Sequence, residues 1–332
     1  MTLRHVRHHF AIRPIKRAAL ICATLIFALM PISANALDIL IGTGPDGTFS
    51  HFTGRTICRI ISKHAQDISC NTVPTPDAID NLTNLQGGSL DISLVDSRML
   101  TDAINKTGYF KFLDIRYDNL RDFLPLYDRP ITLVARDDSE VTSLENLKGK
   151  RINAGAPRSE VHLATDAILT AKNWTKGDFS LFGELSSSLS QDTMAFCHGE
   201  VEAMFHIGVH PDPSLQQLLE RCNAVLVDMN DADIGALVDS QPAFSNIDIP
   251  AETYPALEKP VSTFGTTVFL IASDSLDEQT AFKIMEALDR NQQSLRNAHI
   301  ALSAFSVETT PKRTAGVQHH SGAAAYLSTQ GK

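Results

Sequence analysis

The sequence lacks the motifs that mark the common hydrolytic and nucleotide-binding enzymes. It contains no G-x-S-x-G, no Walker loop and no H-E-x-x-H pattern. Nucleophilic hydrolysis, P-loop nucleotide hydrolysis and helix-borne zinc catalysis therefore have no basis in the chain. Cysteine is scarce, with five residues in 332, and none lies in a C-x-x-C or H-x-x-x-C pair that would indicate zinc. We expect a protein that is not an enzyme and carries no cofactor and no metal.

Residues 1–36 have the pattern of a secretory signal peptide. Five basic residues between positions 4 and 17 precede the apolar run Ala18 to Ile32, and Ala34-Asn35-Ala36 places small residues where a signal peptidase reads them. The run of about 15 apolar residues is shorter than the ~20 that cross a membrane. We expect cleavage after Ala36 and export to the periplasm.

Acidic residues dominate the remainder of the chain. Without the five basic residues of the signal segment, 24 basic and 38 acidic residues leave a net charge of −14. This argues against nucleic acid as a partner. The remaining 296 residues are enough for two domains of moderate size, and we expect a monomer.

Four cysteines follow the signal segment: Cys58, Cys70, Cys197 and Cys222. In an oxidising compartment an even count indicates disulfides. The local pairing Cys58–Cys70 and Cys197–Cys222 is favoured among three connectivities. Four buried free thiols are the alternative.

Strand and helix patterns alternate in the first part of the chain. "LDILIG" (37–42) reads as a buried strand, and Ile57, Ile60 and Ile61 form the apolar face of the helix that follows. "SCNTVPT" (69–75) is extended, 76–88 is helical with Pro76 in its first turn, and "LDISLV" (90–95) is the next strand. This order predicts a parallel sheet covered on both faces by helices.

A second unit repeats this order. It has a strand at 151–154, helices at 159–173, 188–199 and 214–222, and strands at 201–206 and 223–229. Leu85-x-x-Gly88-x-Leu90-Asp91 ends a helix of the first unit, and Phe196-x-x-Gly199-x-Val201-Glu202 does the same in the second. Two such units face to face would aim two helix N-termini at one cleft. The β-prone run Thr266 to Ala272 would return the chain to the first unit.

A literal G-x-G-x-x-G lies at Gly42, Gly44 and Gly47. A dinucleotide loop needs an acid after the second strand, but Asp67 precedes that strand, so we do not expect dinucleotide binding. Backbone N–H groups at such a loop–helix junction attract a carboxylate or phosphate. The alternative is a structural turn without a ligand.

Five stretches occur in an order that is typical of one family: "ILIGTGPDG", "LDISLVDS", "PITLVARDDSEVTSLENLKGKRINAGAP", "GEVEAMF" and "STFGTTVFLIAS". From about Leu37 to Gly322 the chain resembles the TAXI-type solute-binding proteins, the periplasmic receptors of TRAP transporters. The resemblance implies an α/β fold of two Rossmann-like lobes, joined by hinge strands, with a ligand cleft between them. The lobes would be 37–127 with 265–332, and 128–264. It also implies a small amino acid or carboxylate as ligand and TRAP-type membrane subunits as partners.

The resemblance also suggests the ligand-binding residues, although the lining departs from the family pattern. Positions that are usually acidic or glycine are Arg98, Arg129 and Arg158 here, and we expect these to favour an anionic solute. If that solute lies between Gly44 and Ser159, Arg98 or Arg158 should contact it. The alternative is that the arginines form salt bridges between the lobes. The full expected set is Thr43, Gly44, Ser50, His51, Asp96, Ser97, Arg98, Arg129, Pro157, Arg158, Ser159, Glu160, His206, Thr263 and Gly265.

Two other functions are compatible with the sequence. One is a receptor that signals its ligand state to a membrane sensor kinase instead of feeding a transporter. A secreted enzyme is the other hypothesis, but no catalytic constellation favours it.

Overall fold

A single mixed sheet of ten strands organises the computed structural model, which describes residues 36–185, 194–313 and 315–331. The strands are β1 Leu37–Gly42, β2 Ile68–Val73, β3 Ile92–Asp96, β4 Leu120–Arg136, β5 Arg151–Asn153, β6 Leu181–Gly183, β7 Ala203–Ile207, β8 Ala224–Val227, β9 Ser245–Ile249 and β10 Val261–Ser273. The helices are α1 Phe49–His64, α2 Ala78–Gln86, α3 Ser97–Asn105, α4 Glu160–Lys172, α5 Pro213–Arg221, α6 Ala232–Ser240, α7 Glu278–Arg290, α8 Gln292–Arg296 and α9 Ser321–Thr329. Residues 1–35, which hold the expected signal peptide, lie outside the described part.

Two long antiparallel strands join two sets of parallel strands. The order along the sheet is β2-β1-β3-β10-β4-β7-β5-β6, while β8 pairs with β4 and β9 with β10. β1 is parallel to β2 and β3, and β5 is parallel to β6 and β7. β4 and β10 pair along most of their length between these sets, so both strands belong to each half of the sheet.

The buried apolar side chains form four clusters, which divide at the middle of β4 and β10. Two clusters draw their buried members from residues 39–127 and 268–327. The other two draw theirs from residues 131–264. The residues between these sets, such as Asp128 and Thr267, pair directly across the two strands. The long strands therefore cross from one pair of clusters to the other.

The repeated helix–glycine–strand signature gives the same geometry twice. Gly88 and Gly199 both have a φ of 75°, the left-handed region that glycine adopts most easily. The carboxylate of Asp91 accepts a 2.8 Å hydrogen bond from the Leu40 N–H, and that of Glu202 accepts a 2.9 Å bond from the Arg151 N–H. Each acid thus ties the loop after a helix to a neighbouring parallel strand.

Both expected disulfides are present in the structure. Cys58–Cys70 joins α1 to β2, and Cys197–Cys222 joins the helical residues 194–197 to the C-cap of α5. Each bond closes a short loop within one half of the sheet.

The structure corrects some of the expected boundaries. Pro76 precedes α2 instead of lying in its first turn, because Asp77 is the N-cap and its carboxylate accepts hydrogen bonds from the Ile79 and Asp80 N–H groups. The expected helix over 188–199 is described only from residue 194, and residues 186–193 lie outside the described part. Helices α3 and α6 were missed by the sequence analysis. Among the described residues, no helix combines the length and apolar character needed to cross a membrane.

Candidate functional site

A cavity of about 690 Å³ lies at the carboxyl ends of β1 and β3. We call it the main cavity. Its wall includes the glycine loop after β1, the segment 208–213 after β7, and residues of β4 and β10. The volume falls within the ~300–1,000 Å³ that is usual for small-molecule sites.

Five helices of the described part of the chain begin at the wall of the main cavity. α1 contributes Thr48, Phe49 and Ser50, and α2 contributes its cap Asp77. The remaining three contribute an acid each: Asp96 caps α3, Glu160 is the first residue of α4, and Asp212 caps α5. Each helix N-terminus carries roughly half a positive charge. At four of the five helix N-termini, a carboxylate of the same helix therefore offsets this partial positive charge.

α1 differs from the other four helices because neither its cap nor its first turn contains an acid; Asp46, which contacts His51 Nε2 at 3.2 Å, precedes the cap and does not line the cavity. Its cap, Thr48, is neutral, and its first turn contains no acidic residue. The Thr48 hydroxyl donates to the Pro45 carbonyl at 2.8 Å and accepts from the His51 N–H at 3.3 Å. The N–H groups of Phe49 and Ser50, at the first two positions of the helix, have no acceptor within the helix. The α1 N-terminus thus presents backbone N–H donors at the cavity wall without a carboxylate of its own, an arrangement that can bind an anion.

The glycine loop is shaped by its neighbours as well as by its own conformation. Gly47 has a φ of 83°, which a side chain would strain. At Gly42 a Cβ would lie 2.4 Å from Leu90 Cδ1, so this glycine serves packing. Gly44 and Gly47 both line the cavity beside α1; a Cβ at Gly44 would lie 3.4 Å from Thr48 Oγ1, whereas a Cβ at Gly47 would have no neighbour within 4 Å. The G-x-G-x-x-G motif therefore forms a turn that places the α1 N-terminus at the cavity.

Arg129 links two acids across the cavity wall. Its guanidinium donates to Glu160 Oε2 at 2.5 Å and Oε1 at 3.4 Å, and to Asp96 Oδ2 at 3.4 Å. Burial raises the pKa of Asp96, and Arg129 opposes this shift. Asp96 Oδ2 also accepts from the Thr266 hydroxyl. Arg129 therefore faces the cavity with its charge already paired.

Asp212, another acid at the cavity wall, is ionised at neutral pH. Asp212 Oδ1 accepts hydrogen bonds from the Ser214 and Leu215 N–H groups at 2.7 and 3.1 Å. Burial acts to raise the pKa of Asp212, but His206 and these N–H donors outweigh burial and lower the pKa to about 2. At neutral pH this carboxylate presents a full negative charge.

Next to Asp212, His210 is held neutral. Burial, with His206 beside it, lowers the pKa of His210 to about 4. His210 contacts the hydroxyls of Thr132 and Tyr254 at 3.0 and 2.7 Å. It shapes the segment 208–213 and adds no charge to it.

The structure brings together only part of the expected site. Six of the expected residues line the main cavity: Thr43, Gly44, Ser50, Asp96, Arg129 and Glu160. Five others make contacts within the protein around it, namely His51, Ser97, Ser159, His206 and Thr263. Gly265 lies where β10 and β4 approach closely, and a Cβ there would be 2.3 Å from the Arg129 carbonyl oxygen.

The three arginines do not converge on one ligand position. Arg98 lines a second cavity of about 40 Å³, where it donates to the Leu163 carbonyl at 3.5 Å and lies over the Phe244 ring. Arg158 and Pro157 are exposed and line neither cavity. The Arg158 carbonyl accepts a hydrogen bond from the Tyr109 hydroxyl. Arg129 is thus the one of the three that faces the main cavity.

Several residues of the wall escaped the sequence analysis. The acids Asp77 and Asp212 each stand just before a helix, so their position as caps was the signal that could have found them. Phe49, Phe52, Tyr127 and His299 also line the cavity. His299 comes from a distant part of the chain and no local pattern marks it.

A model of the NMT1-like family matches residues 41–331. Three solved structures share the fold at low identity. A TctC solute-binding protein from Polaromonas is 15% identical, with a TM-score of 0.55, over 79% of this chain and 87% of that one. PhnD1 from Prochlorococcus marinus, solved with methylphosphonate, is 14% identical, with a TM-score of 0.51, over 90% and 98%. MatC from Rhodopseudomonas palustris, solved with malate, is 13% identical, with a TM-score of 0.50, over 90% and 97%.

These likenesses confirm the expected fold class. The chain is a mixed α/β protein with a central sheet flanked by helices, as in periplasmic binding proteins. At such low identity the comparison concerns the fold and not the ligand.

Proposed function

Because the chain belongs to the NMT1-like family, we propose that it is a periplasmic receptor that captures a small organic solute of the amino-acid class. The solute would bind in the main cavity and be delivered to TRAP-type membrane subunits. The ligand class is inferred from one contrast between the helices at the cavity. The cap and first turn of α1 contain no acid, whereas each of the four neighbouring helices contributes an acid to the wall. The signal-peptide pattern supports the location, and the resemblance to TAXI-type proteins supports the partner.

The proposed receptor has two lobes that close on the solute. One lobe consists of residues 37–127 and 265–332, and the other of residues 128–264. The division of the apolar clusters supports these bounds. β4 and β10 are then the hinge strands, and their middle residues would absorb the rotation.

We propose that the carboxylate of the solute binds at the N-terminus of α1. The N–H groups of Phe49 and Ser50 provide donors, and Gly44 leaves room for close approach. The Ser50 hydroxyl, which lies 2.7 Å from the Tyr127 hydroxyl, faces the same space.

The acids of the other helices are the proposed partners of an amino group. Asp77, Glu160 and Asp212 line the cavity, and Arg129 is already paired with Glu160 and Asp96. A solute with only negative charge would meet several carboxylates and, among the described residues of the wall, no unpaired cation. A zwitterion complements both parts of the wall, because its carboxylate can bind the α1 N–H groups and its ammonium group can bind the carboxylates. We therefore propose that the anionic solute also carries an ammonium group.

Titration calorimetry and thermal shift on the mature chain test this proposal. The common L-amino acids are screened first, and the tightest binder is then compared with its deaminated acid and its decarboxylated amine. We expect the amino acid to raise Tm, as ligand binding to the folded state requires, and each analogue to bind at least about tenfold more weakly. Equal binding of the deaminated acid would refute the zwitterion. Failure of every amino acid to bind would refute the proposed class.

A further inference from the structure

Four aromatic rings form one wall of the main cavity. Phe49, Phe52, Tyr127 and His299 all line it. The Phe49 ring makes edge contacts with Tyr127 and His299, with centroids 4.8 and 4.7 Å apart. Phe52 stacks on Phe49 at 5.8 Å with 28° between the ring planes. We call this set the aromatic wall.

The aromatic wall is held in place from behind. Phe49 packs against the apolar cluster of α1, β1 and α7. Tyr127 is buried, and its hydroxyl contacts Ser50 at 2.7 Å. His299 accepts a hydrogen bond from the Ala301 N–H through Nδ1 at 3.1 Å. Burial lowers the pKa of His299, so this ring is neutral at pH 7 and acts as an aromatic surface.

Phe52 is the ring of the wall with a large free surface. It is 41% exposed, although the other apolar residues of its helix are half-buried, as is Phe49, or buried, as are Ile57, Cys58, Ile60 and Ile61. A large exposed aromatic side chain in a concave site commonly marks a binding surface. Because Phe52 is stacked on Phe49 and keeps exposed surface at the cavity, a third ring could extend the stack on its exposed side.

We infer that the solute carries a planar aromatic side chain, which stacks on Phe52 while its charged end lies at the α1 N-terminus. The inference rests on the proposed function, since it names the side chain of the same solute. Phe49 and Phe52 are themselves the first and fourth residues of α1. The stacking surface and the N–H donors therefore lie within one turn of each other. Val209, Pro211 and Pro213 add further apolar surface to the cavity.

The test compares L-phenylalanine with L-cyclohexylalanine by calorimetry on the mature chain. The two have nearly the same shape, but only the first has a flat π-face. We expect L-phenylalanine to bind roughly threefold to tenfold more tightly, the range set by aromatic pairing. Phe52→Leu should abolish this preference, and Phe52→Tyr should retain it. Phe112→Leu is the matched control, because Phe112 is 88% exposed and lies outside the cavity.

The outcomes separate this inference from the proposed function. If L-cyclohexylalanine or L-leucine binds as tightly as L-phenylalanine, the solute need not be aromatic and the inference is overturned, while the amino-acid class stands. Tight binding of glycine betaine without binding of L-phenylalanine would show that the rings hold a methylated ammonium group, and would also overturn it. If 3-phenylpropionate binds as tightly as L-phenylalanine, the aromatic side chain is supported and the requirement for an ammonium group is refuted. If no probe binds, both fail.

Discussion

Arg129 and Glu160 form a two-pronged ion pair at the wall of the main cavity, with contacts of 2.5 and 3.4 Å between the guanidinium and the carboxylate. Arg129 belongs to β4, and Glu160 begins α4. The Glu160 carboxylate offsets the positive charge that Arg129 would otherwise present to the cavity. It therefore sets the charge balance of the site, together with Asp96 on the other side of Arg129.

Glu160→Gln should shift the charge preference of the site. The substitution leaves Arg129 with less negative charge beside it, and a charge-assisted hydrogen bond contributes about 1.5–3 kcal/mol. We expect the deaminated acid of the tightest amino acid to gain at least about tenfold in affinity relative to the amino acid itself, as measured by calorimetry. Glu145→Gln is the control, because Glu145 pairs with Lys172 outside the cavity. An unchanged ratio would show that Arg129 does not contact the solute.

Asp77→Asn and Asp212→Asn should each weaken binding of the zwitterion. Asparagine caps a helix about as well as aspartate, so the fold is retained while a negative charge is lost. We expect a loss of roughly threefold to tenfold in affinity for each variant. Asp77→Asn should change the Tm of the free protein little, whereas Asp212→Asn should lower it, because His206 and the N–H donors stabilise the Asp212 carboxylate. Asp277→Asn serves as the control, since Asp277 caps α7 and does not line the cavity. Equal affinities for all three variants would count against an ammonium group at these caps.

Tyr109→Phe should favour an open arrangement of the proposed lobes. The Tyr109 hydroxyl donates to the Arg158 carbonyl, and the two residues lie in different lobes. We expect small-angle scattering to give a larger radius of gyration for the ligand-free variant than for the ligand-free wild type. Saturating solute should then reduce the radius of both. The control is Tyr117→Phe, because the Tyr117 hydroxyl contacts Thr83 within the first lobe at 3.3 Å. Identical radii in every state would indicate a rigid site.

Both disulfides should form when the protein is made in the periplasm. Peptide mass mapping is expected to find Cys58–Cys70 and Cys197–Cys222. The loops span 12 and 25 residues in sequence, and loops of this length gain about 3 kcal/mol of stability per bond in the chain-entropy account. Reduction should therefore lower the free energy of unfolding measured with denaturant. Detection of four free thiols would contradict the pairing.

Local patterns were sufficient to predict most of the fold. The helix–glycine–strand signature at Gly88 and Gly199 recurs with the same backbone geometry, because a helix stop and a buried strand are both encoded within a few residues. α3 was missed because its cap, Asp96, is also the last residue of β3, so no loop separates the two elements. Asp96, Ser97 and Arg98, which were expected as ligand-binding residues, are the cap and the first two residues of this helix.

The charge balance of the candidate site could not be predicted in the same way. Arg129, Glu160 and Asp96 come from three separate elements, and only the folded chain shows that they are paired. Likewise, His299 reaches the cavity from beyond α8, far from the glycine loop in sequence. Pairing between distant residues is decided by tertiary packing, which periodicity and spacing do not encode.

Asp122 should make stability fall as the pH rises. It lies on β4, is completely buried, and accepts a 3.0 Å hydrogen bond from the Ala315 N–H, while His319 Nδ1 is 3.6 Å away. Asp122 Oδ1 has no hydrogen-bond partner within the described residues. Burial raises the pKa of Asp122 to about 7, from 3.8 for an unperturbed carboxyl group. Between these two values the folded state holds a proton that the unfolded state has released. The stability that this proton provides is therefore complete below pH 3.8 and is lost as the pH rises toward 7.

Asp122→Asn isolates this effect, because an amide retains the acceptor for Ala315 and does not ionise. We expect the variant to be more stable than the wild type at pH 8 by a few kcal/mol, on the order of 1.4 kcal/mol for each unit of pKa shift, and to differ much less at pH 4. Denaturant unfolding at the two pH values measures the difference. Burial lowers the pKa of the neighbouring His319, which acts in the opposite direction and is present in both proteins, so comparing wild type with variant largely cancels it. A gap in stability that does not change with pH would show that Asp122 is ionised throughout, and that His319 and the Ala315 N–H suffice to hold its charge.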